Sequence, residues 1–134
     1  MRRILVVEDD FVSRTILLRL LRDYGDCDVA VDGVEAVEAF KNALERNQPY
    51  NLLFLDIHMP RLDGQAALAA VRSIEEEFGI APGAGAKIIM ATADGDPSSI
   101  MKAFRHQCEG YIVKPIDRQK LRDLLTGIEI EVGR

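Results

Sequence analysis

The sequence is poor in the residues that mark several classes of protein. It has no tryptophan and only two cysteines, Cys27 and Cys108, in 134 residues. Two cysteines cannot form a disulfide framework, and their spacing matches no zinc-binding motif. Acidic residues outnumber basic ones, 22 to 17, and the basic residues form no block. Because affinity for nucleic acid phosphates requires clustered lysine and arginine, we expect no direct binding to nucleic acid.

Long hydrophobic runs are absent as well. The longest uninterrupted apolar segment, residues 66–71, is mostly alanine. A membrane-spanning helix needs about 20 such residues. The first residues pair two arginines with a short apolar stretch that stops at Glu8, which is no secretory signal. We therefore expect a protein of the reducing cytoplasm that does not contact membranes.

The composition that remains is that of an ordinary globular chain, with 48% hydrophobic and 29% charged residues. A chain of 134 residues is long enough to bury a core and short enough to form one domain. We expect a single domain over residues 1–134.

Short apolar segments alternate with longer amphipathic ones. Five segments are brief, aliphatic and without polar interruption, as strands covered by helices on both faces would be. They are residues 4–7, 29–31, 52–55, 88–91 and 111–113. Helical segments follow, beginning near Phe11, Asp32, Gly64, Asp96 and Asp117. This alternation predicts an α/β fold of the (βα)5 type, a three-layer sandwich around a parallel sheet.

The helical segments have recognisable start signals and apolar stripes. Asp32 followed by Glu35 is a capping-box pattern, and Asp96 stands before a proline in the first helical position. The stripes expected to face the sheet are Leu17, Leu20, Leu21 and Tyr24, then Val34, Val37, Phe40 and Leu44, then Ala67, Leu68, Val71 and Ile74, and finally Leu121, Leu124, Leu125 and Ile128. Residues 79–86 are expected to form a mobile surface loop. Residues 128–132 are expected to form a short strand or a frayed helix end that packs or contacts a partner.

Reactive polar side chains stand where four of the five predicted strands end. They are Glu8 and Asp9, Asp56, Thr92 and Lys114. Because the carboxyl ends of parallel strands lie at one edge of a sheet, these side chains should converge on a single crevice. Any one of them is as well explained as a turn or cap residue, but the complete set is not.

Three carboxylates at one place imply a counter-charge. Two like charges about 4 Å apart repel by about 4 kcal/mol at an effective dielectric near 20, so either one keeps a proton or a divalent cation neutralises them. Oxygen ligands without a cysteine or histidine cluster favour Mg²⁺ or Mn²⁺. Lys114 and Thr92 suit the oxygens of a phosphoryl group. Asp56, central in the expected sheet, is the best candidate for a nucleophile that forms an aspartyl phosphate.

These segments resemble the receiver domain of two-component response regulators, a flavodoxin-like domain of the CheY kind. The matching segments are residues 4–10, 32–36, 55–64, 89–93 and 110–115, and together they extend over residues 4–125. The resemblance implies a five-stranded parallel sheet of order 2-1-3-4-5. It also implies a stand-alone receiver, since no output domain follows, although the chain could equally be cut from a longer protein.

The resemblance assigns roles to the strand-end residues. Asp56 would accept a phosphoryl group from a phosphohistidine of a sensor histidine kinase or a histidine phosphotransfer protein. Asp9 and Asp56 would ligate Mg²⁺ (or Mn²⁺), with Glu8 acting mainly through water and the backbone carbonyl of His58 as a further ligand. The remaining roles would be those of Thr92, which hydrogen-bonds the phosphoryl group, Tyr111, which turns inward behind it, Lys114, which pairs with the phosphoryl oxygens, and Pro115, which follows a cis peptide bond.

The resemblance further implies a phosphorylation-controlled switch in a phosphorelay. The face formed by the fourth helix, the fifth strand and the fifth helix would change shape and bind a downstream protein or a second copy of the chain. The protein would catalyse its own phosphorylation and dephosphorylation and would not be an enzyme with an external substrate.

The chain departs from the family pattern in its acidic pair and around the acceptor. Glu8 stands where aspartate is more common. His58, two residues after the acceptor, and Asp94, two after Thr92, lie where side chains influence the lifetime of the phosphoryl group. The sequence leaves that lifetime open, and for His58 a plain surface position is an equal alternative.

Three other functions fit these residues less well. A phosphatase of the haloacid-dehalogenase type would need a second aspartate where His58 stands. A flavodoxin-like FMN module would need a phosphate-binding loop after the first strand, where this chain has Glu8, Asp9 and Asp10. A receiver-shaped adaptor that is never phosphorylated would not need the complete set of strand-end residues.

Overall fold

The structure, a computed structural model, describes residues 2–59, 61–93 and 97–132. Five strands alternate with five helices in the described residues. The strands are β1 (Arg3–Val7), β2 (Asp26–Ala30), β3 (Leu52–Asp56), β4 (Lys87–Thr92) and β5 (Gly110–Val113). The helices are α1 (Phe11–Leu21), α2 (Gly33–Glu45), α3 (Gly64–Glu77), α4 (Pro97–Arg105) and α5 (Arg118–Gly127).

The strands form one parallel sheet of order β2-β1-β3-β4-β5. The α/β fold class and the strand order expected from the sequence are both confirmed. The order reverses direction between β1 and β3, because the chain first adds β2 on one side of β1 and then crosses to the other. Glu8, which follows β1, and Asp56, which ends β3, are therefore neighbours in space.

Two apolar layers, one on each face of the sheet, hold the fold together. In β1, Leu5 and Val7 belong to the layer that contains buried residues of α2 and α3, whereas Ile4 and Val6 belong to the layer with α1 and α5. This alternation is the two-residue period of a strand. All five residues of β3 are buried, which explains why it forms an uninterrupted apolar run in the sequence.

The second strand differs from its prediction. It occupies Asp26–Ala30 instead of residues 29–31, and Asp26, Asp28 and Val29 are exposed. The reason is its place at the edge of the sheet, where β1 is its one strand neighbour among the residues that the structure describes. An edge strand is covered incompletely and therefore tolerates charged residues. For this reason β2 does not form an apolar run in the sequence.

The apolar stripe of α2 is also shifted from the prediction. Its buried positions are Ala36, Phe40 and Ala43, together with Gly33, while Val34, Val37 and Leu44 are only half-buried. Small residues on this face allow the helix backbone to approach the sheet closely. The stripe of α3 was predicted correctly, since Ala67, Leu68, Val71 and Ile74 are all buried.

Helices α1 and α5 end earlier than their apolar patterns suggested. Tyr24 lies beyond the end of α1 and is nevertheless buried. Leu20, Leu124 and Ile128 are only half-buried. An apolar residue after a helix end can still reach the core through the turn that follows, so the pattern overestimates helix length.

The segment of residues 79–86 is a surface loop, as predicted, because residues 79 and 81–84 are exposed, and its last residue and the tail are anchored to the domain. In the 79–86 loop, Ala86 N donates to the buried Glu75 carboxylate over 2.8 Å. A Cβ at Gly85 would collide with that carboxylate. In the tail, no strand forms over residues 128–132, and Ile130 is buried against the α1–α5 layer. The tail therefore packs on the domain, which was one of its two expected roles; the other was contact with a partner.

Across the described part of the chain, none of the helices combines the length and the apolar character that crossing a membrane would require.

Candidate functional site

The polar strand ends meet at the carboxyl edge of the sheet. Glu8 follows β1, Asp56 and Thr92 are the last residues of β3 and β4, and Lys114 follows β5. The register aligns them, because Asp56 pairs with Ala91, the residue before Thr92, and Thr92 pairs with the residue before Lys114.

Three acidic side chains form a cluster at this edge. Carboxylate oxygens of Glu8, Asp9 and Asp56 lie within 4.8 Å of one another. Glu8 and Asp56 are buried, and Asp9 is exposed. A small oxygen-only group with one solvent-facing member suits a cation such as Mg²⁺, which keeps several of its waters. These three residues fit the metal that the sequence implied.

Lys114 occupies the space between the two buried acids. Its Nζ donates to Glu8 Oε1 over 2.5 Å and lies 3.4 Å from Asp56 Oδ2. The amine and the expected acceptor are thus in contact range, but the closer partner of Lys114 is Glu8. The sequence does not predict this pairing of Lys114 with Glu8.

The pKa values of this group reflect its burial and its neighbours. Burial alone would lower the pKa of Lys114, but its hydrogen bond with Glu8 and the negative charge of Asp56 outweigh that effect and raise the pKa above its ordinary value. Burial raises the pKa of Glu8. The hydrogen bond from Lys114 opposes the rise, and the neighbouring Asp56 adds to it. The cluster therefore contains three carboxylates beside the amine of Lys114, and a bound cation would neutralise the remaining negative charge.

The β1–α1 turn is held by residues of the first helical turn. Asp10 is the N-cap of α1, and its side chain accepts a hydrogen bond from Ser13 N over 2.8 Å. Asp10 N in turn donates to Glu8 Oε2 over 3.2 Å. The Arg14 guanidinium donates to the backbone carbonyl of Glu8 over 3.1 Å. Arg14 was not singled out from the sequence. Its position four residues after the N-cap Asp10 places it one helical turn further on, on the same side of α1, and this spacing could have indicated its contact with the turn.

The loop after β3 closes tightly behind Asp56. His58 N donates to Asp56 Oδ1 over 3.2 Å, and Gly64 N donates to Ile57 O over 3.0 Å. A Cβ at Gly64 would collide with the carbonyl oxygen of Asp56. Glycine is required at this position by the close approach of two backbones. The imidazole-bearing residue His58 is exposed.

An ion pair joins the same loop to α2. Arg61, with φ of 66°, places its guanidinium on Asp32 Oδ2, with Nε 2.8 Å and the nearer Nη 2.6 Å away. Asp32 is also the N-cap of α2 and accepts from Glu35 N over 2.8 Å. That backbone hydrogen bond, together with Arg61, lowers the pKa of Asp32. The sequence predicted the cap but not the ion pair.

The two remaining switch candidates differ in exposure. Thr92 is buried, with 1% of its surface exposed, whereas Tyr111 is 40% exposed. The Tyr111 ring packs edge-on against Phe104 of α4, with centroids 6.2 Å apart. Tyr111 therefore points outward in this structure. The Lys114–Pro115 peptide bond is cis. Asp94, the second candidate for a lifetime effect, lies outside the described residues, as does the expected cap residue Asp96.

The chain matches the family model described as the response regulator receiver domain over residues 4–126. It is 34% identical over 128 residues to the chemotaxis protein CheY of Treponema pallidum, covering 94% of this chain and 81% of that protein. It is 33% identical over 126 residues to the osmosensing histidine protein kinase of Saccharomyces cerevisiae, covering 92% of this chain. The chain spans only 10–12% of the length of that kinase and of the rice histidine kinases it matches.

Solved structures agree with this match. CheY from Borrelia burgdorferi, in a complex with CheX, BeF₃ and Mg²⁺, superposes with a TM-score of 0.82 at 25% identity, covering 97% of this chain and 90% of that one. The receiver domain of a Saccharomyces cerevisiae response regulator, crystallised with a histidine phosphotransfer protein, superposes with a TM-score of 0.77 at 26% identity, covering 92% of this chain and 86% of that one. With its fold, its strand-end residues and its family match in agreement, the chain belongs to the response regulator receiver domain family of two-component signalling.

Proposed function

We propose that Asp56 is the phosphoacceptor of a phosphorylation-controlled switch. The proposal rests on the environment of the Asp56 carboxylate. Asp56 is buried, its Oδ2 lies 3.4 Å from the Lys114 amine, and it lies within 4.8 Å of carboxylate oxygens of Glu8 and Asp9. Such a carboxylate is a competent nucleophile, and the amine can stabilise the charge of a phosphoryl group beside it.

The phosphoryl donor is a phosphohistidine of a sensor histidine kinase or of a histidine phosphotransfer protein. A carboxylate oxygen of Asp56 attacks phosphorus, a new P–O bond forms, and the P–N bond to the histidine breaks. The imidazole leaves as a neutral ring that keeps the proton already on its other nitrogen. Two comparisons support this donor class, since one similar protein is a histidine kinase and one similar receiver was crystallised with a phosphotransfer protein.

A divalent cation, Mg²⁺ or alternatively Mn²⁺, would be held by Asp9 and Asp56, with Glu8 acting through water and the backbone carbonyl of His58 as a further ligand. When bound, it neutralises the charge of the acids and of the incoming phosphoryl oxygens. The acidic cluster and the Mg²⁺ in the similar CheY complex support this assignment.

Lys114 would change partners during the reaction. In the structure it donates to Glu8 and lies 3.4 Å from Asp56 Oδ2, and phosphoryl oxygens that arrive on Asp56 would offer it a further anion at short range. Thr92, at the end of the neighbouring strand, would donate its hydroxyl to another phosphoryl oxygen. Water later hydrolyses the acyl phosphate, so the chain catalyses its own phosphorylation and dephosphorylation and turns over no external substrate. His58 and Asp94 would adjust the rate of that hydrolysis.

The conformational change would be recognised by a partner at the face formed by α4, β5 and α5. This face exposes Met101, Phe104 and Tyr111, and an inward turn of Tyr111 would remove its ring from Phe104. A downstream protein would bind the altered face, and a homodimer through the same face is the alternative. Both cysteines are unpaired, as in the reducing cytoplasm, where we place this signalling.

Intact mass after incubation with Mg²⁺ and a small acyl phosphate tests the proposal. The wild-type chain should gain one phosphoryl group, and Asp56→Asn should gain none. The matched control Asp23→Asn changes an exposed residue outside the cluster and should behave as wild type. Equal labelling of Asp56→Asn and wild type would remove Asp56 as the acceptor.

A further inference from the structure

Gln65 is a buried polar residue that the proposed acceptor chemistry does not use. It is the second residue of α3, and only 8% of its surface is exposed. Its side-chain Nε2 donates to the backbone carbonyl oxygen of Ser99, in the first turn of α4, over 2.8 Å. Gln65 thus links α3 to the end of α4 that lies near the acceptor edge of the sheet.

The backbone beside Gln65 is fixed to the acceptor strand. Gly64 N donates to Ile57 O over 3.0 Å, and Gly64 approaches the Asp56 carbonyl so closely that no Cβ fits between them. A displacement of the Asp56 backbone must therefore displace Gly64, and with it the root of the Gln65 side chain.

The link to α4 is weakly made. Among the described residues, nothing donates a hydrogen bond to Gln65 Oε1, although that atom is fully buried. An unsatisfied buried acceptor disfavours the arrangement that contains it. In the present position of α4 the Nε2 group of Gln65 has a hydrogen-bond partner and, among the described residues, the Oε1 atom has none. This lowers the free-energy cost of moving α4 to another position.

The opposite end of α4 is held much more firmly. Arg72 of α3 donates through Nε and one Nη to the carbonyl oxygen of Gln107, just after α4, over 3.0 and 2.7 Å. The same guanidinium binds Glu75 over 2.6 Å and both oxygens of Glu109 over 2.8 Å. Charge-assisted hydrogen bonds are about twice as strong as neutral ones. This cluster anchors the carboxyl end of α4.

We infer that Gln65 is a positioning residue that transmits movement of the acceptor loop to the first turn of α4, while α4 pivots about its Arg72-held end. The inference rests on the proposed function, because phosphorylation at Asp56 is the event to be transmitted. A tilt about the far end moves the exposed residues Met101 and Phe104, which a partner on this face would contact.

Backbone amide hydrogen exchange, followed by NMR with and without Mg²⁺ and beryllofluoride, tests the inference. Gln65→Met keeps the length of the side chain and removes the hydrogen bond. Without the probe, residues 101–103 should exchange faster than in wild type, by at most about fivefold, the factor that corresponds to one neutral hydrogen bond, because the substitution also removes the unsatisfied Oε1. With the probe, their exchange should change clearly less than in wild type. Gln119→Met makes the same chemical change at an exposed position of α5 and should leave both quantities unaltered.

A second variant guards against a simple packing defect. Gln65→Asn keeps the amide but shortens its reach, and it should reproduce the loss of response in α4. A response of wild-type size in both variants overturns the inference, even where the exchange without the probe has risen. If beryllofluoride leaves the wild-type chain unchanged, the proposed function fails instead. The exchange without the probe then decides by itself whether Gln65 holds α4.

Discussion

The Lys114 amine lies 2.5 Å from Glu8 Oε1 and 3.4 Å from Asp56 Oδ2. Its closer partner is therefore Glu8, the acid after β1, and not Asp56, the proposed acceptor at the end of β3. This pairing compensates two buried carboxylates with one cation, and it keeps the amine beside the place where phosphoryl oxygens would arrive. Lys114 thus stabilises the fold by compensating the charge of Glu8 and Asp56 even without a phosphoryl group.

Replacing this lysine should destabilise the fold as well as abolish the response. Lys114→Met leaves Glu8 and Asp56 buried without their cation, and the free energy of unfolding at pH 7 should fall by about 1–3 kcal/mol, the usual cost of stranding a buried polar partner. Urea unfolding measures the change. Lys41→Met, at an exposed position of α2, is the control. Equal losses in the two variants would contradict the pairing.

Asp9 should dominate Mg²⁺ affinity while contributing little to stability, since it is the exposed member of the acidic cluster. In Asp9→Asn the loss of a charged oxygen ligand should weaken Mg²⁺ binding by about tenfold or more. Titration followed by NMR or calorimetry gives the dissociation constant. Asp26→Asn, which changes an exposed acid at the amino end of β2, opposite to the carboxyl edge that holds the cluster, should bind Mg²⁺ as wild type does. Unchanged affinity in Asp9→Asn would remove it from the metal site.

The backbone contact behind Asp56 should make Gly64 intolerant of a side chain. In Gly64→Ala the new Cβ meets the Asp56 carbonyl, so the free energy of unfolding should fall by roughly 1–3 kcal/mol, as in other overpacked sites. Gly127→Ala, at the end of α5 with open space around its Cβ position, should be neutral or slightly stabilising. Urea unfolding of both variants gives the comparison, and a tolerated Gly64→Ala would show that the loop can relax away from the strand.

The Arg61–Asp32 pair should give the fold a pH dependence. The hydrogen bond from Glu35 N and the charge of Arg61 lower the pKa of Asp32 in the folded state. A lowered pKa stabilises the fold at pH values above the unfolded pKa of 3.8, and this stability disappears as the pH falls through the folded pKa. Asp32→Asn should therefore unfold at lower urea than wild type at pH 7, and the difference should shrink below pH 3.8. A difference that stays constant with pH would mean that the charge of Asp32 is not involved.

The alternation of strands and helices and the strand-end residues of the candidate site could be predicted from the order of residues, whereas the strand order came from the family resemblance. Buried strands covered on both faces must be apolar throughout, which made β1, β3 and β4 visible as short aliphatic runs. Polar residues directly after such strands must gather at one edge of a parallel sheet. The convergence of Glu8, Asp56 and Lys114 follows from that rule and needs no knowledge of side-chain packing.

The pairings within the site were decided by the folded molecule. No local feature of the sequence determines that Lys114 donates to Glu8, that Arg61 binds Asp32 or that Gln65 donates to α4, because each partner comes from a distant segment. Each pairing depends on how those segments pack. The edge strand β2 was misplaced for the same reason, since its exposure depends on which strands flank it. Periodicity and strand ends are properties of the covalent order, whereas the partner of a particular side chain exists only once the layers have packed.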